Sequence, residues 1–538
     1  MKWRILPLLL LVAVLAAALP AYAGSSYFSA NVIMRVDTQT PEDRTAVDQA
    51  GFDILSVDLP SGSILVGVPI EQMMDVVRLG FNTDVIEVKG MPSGYGPYHD
   101  YSEQHAELLD LNATYPDLTK VFSLGKSVEG RELWCIKIST NPEFDDPDKP
   151  AYFEFAQHHA REILGPELAL YTAKTLLDSY GKDEQLTAYV DQHEIYVAPT
   201  VNPDGAEYDQ SNNTFHMWRK NREINAGTSC IGVDLNRNYN YHWIGPGSTS
   251  GPCTETYRGP SAFSEPETQH LRDFINAHAN IHMILSIHTY QKLVLYPWGY
   301  TYDPIADQTD FLAYRTLAEA MAKLNGYTPT QASGLYITNG DSDDWEYGAK
   351  GIFAFTFELE PGQLDPLGFY PPPSIIPGAC KRNFEAIKLM IGLSRDPHLA
   401  VSAELWRLEA TLHGHAATIH WNSVIESTPK GWNVLRAIGS SENYQPINSK
   451  LIKAGQADYQ FVDDGLADGE TYQYKVEFVS QYPSANVQFG PVSVTVGGGD
   501  DDVSPDDDAT DDDAADDDNA ATDDDQSAGG DDSGGCGC

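Results

Sequence analysis

Ala151-Tyr152-Phe153-Glu154-Phe155-Ala156 is a short, nearly unbroken apolar run, followed by His159-Ala160-Arg161-Glu162 and then by helical spacing from Gly165 to Tyr180. An apolar run of strand length without polar alternation is expected of a central strand buried on both faces. Three more such runs follow, at Ile195–Ala198, Met283–Ile287 and Phe353–Phe357. Helical spacing also appears in Tyr101–Tyr115, Glu265–Ala279, Asp310–Leu324 and Cys380–Leu393. The alternation predicts a three-layer α/β/α domain on a mixed or largely parallel sheet over residues 96–397. In such folds ligands gather beyond the carboxyl ends of the strands. Four motifs are expected there: His159-Ala160-Arg161-Glu162, Asp234-Leu235-Asn236-Arg237, Ser286-Ile287-His288-Thr289-Tyr290 and Phe355-Thr356-Phe357-Glu358.

The 538 residues exceed one compact domain. Residues 1–23 join a basic start, an apolar run from Ile5 to Leu19 and the small-residue end Ala21-Tyr22-Ala23, the pattern of a secretory signal peptide. Export is therefore expected, to the medium or the cell surface. Residues 24–95 read as strand, helix, strand, helix, strand. This is a small α+β unit whose place suggests a pro-segment that assists folding or covers the site, with an independent binding module as the alternative. Gly90–Pro97 has linker composition, and Lys89 before it suits trypsin-like cleavage. Residues 398–497 show short alternating strands and turn signals, predicting a β-sandwich. Leu466–Val476 resembles the tyrosine-corner region of fibronectin type III domains, with Trp421 as core anchor. Residues 498–538 are Asp triplets spaced by small residues, too polar to bury a core, ending in Cys536-Gly537-Cys538. Such a tail suits a solvated spacer or a surface-attachment device.

Net charge is −44, which argues against nucleic acid as a partner because phosphate binding needs a basic face. No stretch after the signal is long and apolar enough to span a bilayer. Cys230 and Cys253 flank a loop beside Asp234 and are expected to pair in an exported protein, while Cys135 and Cys380 read as buried thiols.

His159 and Glu162 are three residues apart, so a helical turn places both on one side. Alone the pair is weak. His288, ending an apolar strand, supplies a third ligand, and two imidazoles with one carboxylate and an open fourth position describe catalytic zinc. Glu358 ends another buried strand, where an unpartnered carboxylate is costly. Beside a zinc-activated water, whose pKa falls to about 7, it makes sense as general base. Asp234 is placed to hold a ligand histidine by its other ring nitrogen.

Residues from about 98 to 395 resemble the zinc metallocarboxypeptidases of the carboxypeptidase A and B family. Further matches are Asn202-Pro203-Asp204-Gly205, Trp218-Arg219-Lys220, Gly232–Asn238 and Tyr296-Pro297-Trp298-Gly299-Tyr300. The resemblance implies a single zinc ion on His159, Glu162 and His288, with Glu358 taking a proton from the attacking water and returning it. It implies that Arg219 stabilises the oxyanion, that Asn236 and Arg237 clamp the substrate's terminal carboxylate, that Tyr336 closes over the bound residue and that Arg161 belongs to a further subsite. Asp343 falls where B-type enzymes place the acid that pairs with Lys or Arg, with Asp341 a second acid nearby and Gly299 and Phe369 in the pocket wall. Glu360 departs from the animal digestive enzymes, which carry arginine there. The implied activity is removal of C-terminal residues from peptides and proteins, preferably Lys or Arg. Dual basic and apolar specificity, cleavage of diaminopimelate-containing cell-wall peptides, and a non-catalytic adhesion role are the alternatives.

Overall fold

The computed structural model describes residues 31–86, 96–362, 364–401, 403–426, 429–456, 458–480 and 486–497. The signal peptide, Lys89 with most of the linker, and the Asp-rich tail lie outside the described residues.

The N-terminal unit is a four-stranded sheet carrying two helices. Its elements are β1 (Asn31–Asp37), α1 (Pro41–Gln49), β2 (Asp53–Val57), β3 (Ser63–Pro69), α2 (Met73–Arg78) and β4 (Asn82–Ile86), in sheet order β2-β3-β1-β4. Thr40 starts α1 with a capping box, exchanging hydrogen bonds with Asp43 ahead of a proline at the first turn. The expected strand-helix-strand-helix-strand order lacks one element: β2 is an additional strand, short and interrupted by Asp53 and Ser56.

The central domain contains α3 (Tyr101–Thr114), β5 (Thr119–Lys126), β6 (Glu132–Ile138), β7 (Ala151–Ala156), α4 (Leu164–Ser179), α5 (Glu184–Gln192), β8 (Glu194–Ala198) and α6 (Pro203–Asp209). It continues with α7 (Pro266–Ala277), β9 (Ile281–Thr289), β10 (Leu293–Tyr296), α8 (Gln308–Asn325), β11 (Thr328–Gln331), α9 (Ser342–Lys350), β12 (Phe353–Leu359) and α10 (Ile376–Leu393). The eight strands form one mixed sheet in the order β11-β10-β12-β9-β7-β8-β6-β5. Its centre, β8-β7-β9-β12, is parallel, and the flanking pairs β10–β12, β6–β8 and β5–β6 are antiparallel. All six residues of β7 are buried, and their period of two sorts them between two cores. Tyr152 and Ala156 face the layer of α4 and α10, whereas Phe153 and Phe155 face Leu271, Phe274 and Trp345 of α7 and α9.

The C-terminal strands β13 (Ala403–His413), β14 (Ala416–Glu426), β15 (Pro429–Ile438), β16 (Gln445–Pro446), β17 (Tyr459–Asp463), β18 (Thr471–Ser480) and β19 (Val487–Thr495) form two sheets, β13-β14-β17 and β16-β15-β18-β19. Trp421, Trp432, Tyr474 and Phe478 are fully buried between them. The Tyr472 hydroxyl accepts from the Ala467 amide at 3.0 Å, the contact expected of a tyrosine corner. Gly392 of α10 lets the sandwich seat closely, since a Cβ there would lie 2.8 Å from Val424 and 2.6 Å from the Tyr189 hydroxyl.

Candidate metal centre and cleft

The chain leaves β7 through Gln157, whose φ of 63° turns the backbone sharply, and the next residues form a turn ahead of α4. His159 and Glu162 are therefore brought together by this turn, in which the Glu162 amide donates to His159 O at 3.1 Å, rather than by a helix. His288 comes from the last residues of β9. His159 Nδ1 lies 2.7 Å from Glu162 Oε1, His288 Nδ1 lies 2.9 Å from Oε2, and the two Nδ1 atoms are 3.2 Å apart. All three side chains are buried and offer ligand atoms within 4.8 Å of one another. Two converging imidazole nitrogens and a carboxylate are a donor set that fits a zinc ion. Burial works against ionisation of Glu162, yet His159 and His288 hold its pKa well below the usual range.

Asp234 organises the next layer. It does not end a strand, as its motif was expected to; it lies in the long connection between α6 and α7, before a single 3-10 turn, Leu235–Arg237. Its Oδ1 faces His159 Nε2 at 3.2 Å and accepts from the Asn236 amide at 3.0 Å. Its Oδ2 accepts from Arg219 Nε and Nη2 at 3.0 and 2.9 Å. Despite full burial, Arg219 and His159 keep this carboxyl ionised. Arg237 Nε and Nη1 are taken by Gly247 O and Asn236 O, which fixes the plane of its guanidinium at the cleft wall. Gly340 must be glycine: its φ is 73°, and a Cβ would stand 2.6 Å from Arg237 O. Asn236 Oδ1 accepts from the Ser342 amide at 2.9 Å and so ties the arginine segment to α9.

His159, Glu162, Arg219, Asn236, Arg237, His288, Tyr336, Asp341, Asp343 and Glu358 line one cavity. Glu358 is raised to about 8 by burial and then by the Glu162 carboxylate. Asp341 is buried and N-caps α9 through the Asp344 amide, so it is no loop acid facing water. Asp343 accepts from Thr356 Oγ1 at 2.8 Å and is raised to about 8 by burial and by Asp341. Sequence reading missed two further acids. Asp344 accepts from the Gly299 and Tyr300 amides, both at 2.9 Å, and so builds the pocket wall. Glu346 is fully buried with neither carboxyl oxygen hydrogen-bonded, and burial, with Asp343 and Asp341, raises it well above the usual range.

The N-terminal unit closes over this cavity. Asp53 opens β2 and accepts from Arg161 Nη1 at 2.7 Å and Nη2 at 2.9 Å. The Arg161 guanidinium also stacks 4.2 Å from the Phe369 ring centre. Ile54 and Leu55 line the space above the metal ligands, leaving about 80 Å³. Arg44 Nη2 donates to Gly334 O at 2.8 Å, and Thr45 Oγ1 accepts from the Ile337 amide at 3.0 Å, one residue from Tyr336. Asp48, fully buried at the end of α1, is raised to about 7 by burial, moderated by Arg237 and Arg219. None of these contacts was read from the sequence; the acids at 48 and 53 beside apolar residues were the only signal.

A family model described as zinc carboxypeptidase matches residues 105–386. This chain belongs to the zinc carboxypeptidase family. It is a hydrolase of the exopeptidase type, with one zinc ion as cofactor. Among its relatives are a zinc carboxypeptidase of Saccharothrix mutabilis subsp. capreolus, 34% identical over 71% of this chain and 94% of that one, and human carboxypeptidase B, 34% identical over 60% of this chain and 76% of that one. Among solved structures, the carboxypeptidase A of Helicoverpa armigera superposes with a TM-score of 0.59 at 26% identity, covering 68% of this chain and 97% of that one.

One departure of this carboxypeptidase, Glu360, is explained by its packing. Glu360 is neutralised locally by close contacts with the Arg382 guanidinium and the Tyr327 hydroxyl, so its charge is compensated on the side of α10. The Cys230–Cys253 disulfide closes the loop that follows Arg219, while Cys135 and Cys380 are free and buried. Among the described residues, no helix is long and apolar enough to cross a membrane.

Proposed function

We propose that this carboxypeptidase is exported as a latent precursor and removes residues from the carboxyl ends of extracellular peptides, preferring lysine and arginine. The preference rests on the pocket floor, where Asp341 and Asp343 are both buried and Asp343 has only the Thr356 and Ser342 hydroxyls as hydrogen-bond partners. An entering ammonium or guanidinium turns that costly pair of acids into a hydrogen-bonded ion pair. Because Asp343 titrates near 8, the same pocket held neutral admits apolar residues, which supports dual specificity as the second reading.

Zinc, when bound at His159, Glu162 and His288, polarises the scissile carbonyl and acidifies a water. Glu358 takes the proton of the attacking water and delivers it to the amine nitrogen as the C–N bond breaks. Arg219, fixed by Asp234, meets the negative charge that grows on the carbonyl oxygen. Asn236 and Arg237 hold the terminal carboxylate, which restricts cleavage to the last peptide bond. Tyr336 covers the bound residue. Latency follows from Asp53, Ile54 and Leu55 occupying the path a peptide would take. Residues 1–23 as signal, a fibronectin-like sandwich at 398–497 as spacer and an attachment role for the tail complete the proposal.

The test compares the zinc-loaded full chain with the same protein clipped in the linker after folding, using blocked dipeptides ending in Arg and in Phe. Chelator-sensitive release of Arg well above Phe, appearing only after clipping, supports the whole reading. Equal rates move the specificity to dual. Full activity before clipping removes latency, and no release from the zinc-loaded clipped protein removes the exopeptidase assignment.

A further inference from the structure

The segment Phe215-His216-Met217-Trp218 delivers Arg219 to the cleft without a helix or strand of its own. A buried carboxylate fixes it. Asp209, the last residue of α6, is fully buried, and its Oδ1 accepts from the Trp218 amide at 2.6 Å. The Tyr370 hydroxyl lies 2.9 Å from both carboxyl oxygens of Asp209 and accepts from the Met217 amide at 3.1 Å. Asp209 O accepts from the His216 amide at 2.8 Å, and the Tyr370 ring stacks on Phe215 with centroids 4.0 Å apart. Met217 is held at a φ of 55°, a left-handed conformation that is unfavourable for a non-glycine residue and needs external support. On the far side, Arg219 O accepts from the Ala160 amide at 3.0 Å, next to the ligand His159. Tyr370 is also the neighbour of Phe369, on which Arg161 stacks.

We propose that the Asp209–Tyr370 pair is a positioning device for Arg219, setting the backbone from which its guanidinium reaches the reacting carbonyl. The inference rests on the role given to Arg219 above. Asp234 orients the head of that side chain; Asp209 and Tyr370 locate its base. Neither touches the substrate, so their effect passes through Arg219 and appears in turnover rather than in binding. A misplacement of about 1 Å at such a group costs on the order of a hundredfold in rate.

The experiment uses the zinc-loaded full chain clipped after folding, with Tyr370→Phe, Arg219→Ala and the double variant, and separates kcat from KM on one blocked dipeptide. Tyr370→Phe keeps the ring and removes only the hydroxyl; Asp209→Asn is the second probe. The expected result is a roughly tenfold fall in kcat for Tyr370→Phe with KM unchanged, and no further fall when it is added to Arg219→Ala. An unchanged kcat in Tyr370→Phe, or an equal fall in both backgrounds, overturns the inference. If Arg219→Ala itself leaves kcat unchanged, the mechanism assigned to Arg219 fails and the inference falls with it. Such a result is told apart by the single variant alone.

Discussion

At the scale of single residues, Asp343 and Asp234 make different demands. Under the proposed preference for basic residues, Asp343→Asn removes the acid that would pair with a cationic substrate side chain. Release of C-terminal Arg should fall by about a hundredfold in kcat/KM while release of Phe changes several-fold at most; parallel losses on both substrates would assign Asp343 to the scaffold. Asp234→Asn leaves His159 without its carboxylate partner and should weaken zinc binding by roughly 10- to 100-fold in competition with a chromophoric chelator. The metal triad was legible in sequence because its ligands end a buried strand, as His288 does, or follow one closely, as His159 and Glu162 do. Glu346 was not, since an acid in a helix with charged neighbours reads as solvent-facing. Among its neighbours is Tyr239, whose hydroxyl feels the Glu346 charge although the two are far apart in a linear reading. Asp209 was hidden for the same reason: its partner Tyr370 lies 161 positions away.

Among the elements, the central strands were readable because burial on both faces leaves no polar alternation to confuse them, and β7 was found to the residue. β2 was lost because it is five residues long, carries Asp53 and Ser56, and owes its strand form to pairing with β3. It is nonetheless the element that meets the cleft. The Asp53–Arg161 pair is bidentate and buried, and breaking such a pair from one side costs about 3 kcal/mol or more. Asp53→Asn should therefore loosen the N-terminal unit, giving the unclipped zinc-loaded chain measurable hydrolysis of a blocked dipeptide where the parent shows little. A variant as silent as the parent would mean that α1, through Arg44 and Thr45, holds the unit in place unaided. The turn carrying His159 and Glu162 was read as helical because a spacing of three fits both conformations, and only the left-handed Gln157 distinguishes them.

For the whole molecule, buried acids set the response to pH. Glu154 in β7, bonded to the Tyr152 hydroxyl, is raised by burial to about 8, and Glu346 is raised well above the usual carboxyl range by burial and by Asp343 and Asp341. Each has a folded pKa above its unfolded one, so the folded state binds the proton more tightly. The stability they provide is complete below the ordinary carboxyl range and is lost as pH climbs through the raised values, at up to about 1.4 kcal/mol per pH unit for each group. Glu346→Gln should therefore raise the thermal midpoint at pH 8 and leave it unchanged near pH 4, as differential scanning calorimetry would record; a gain equal at both values would point to packing instead of protonation.

The fork of Arg161 on Asp53 also restricts inheritance. Because a carboxylate of the covering sheet is matched to one guanidinium of the cleft, the two halves cannot drift independently: a lineage that changes position 161 must revise position 53 in step. A covering unit transplanted from a cousin with a different residue there would arrive as a poor lid, whatever its similarity in overall shape.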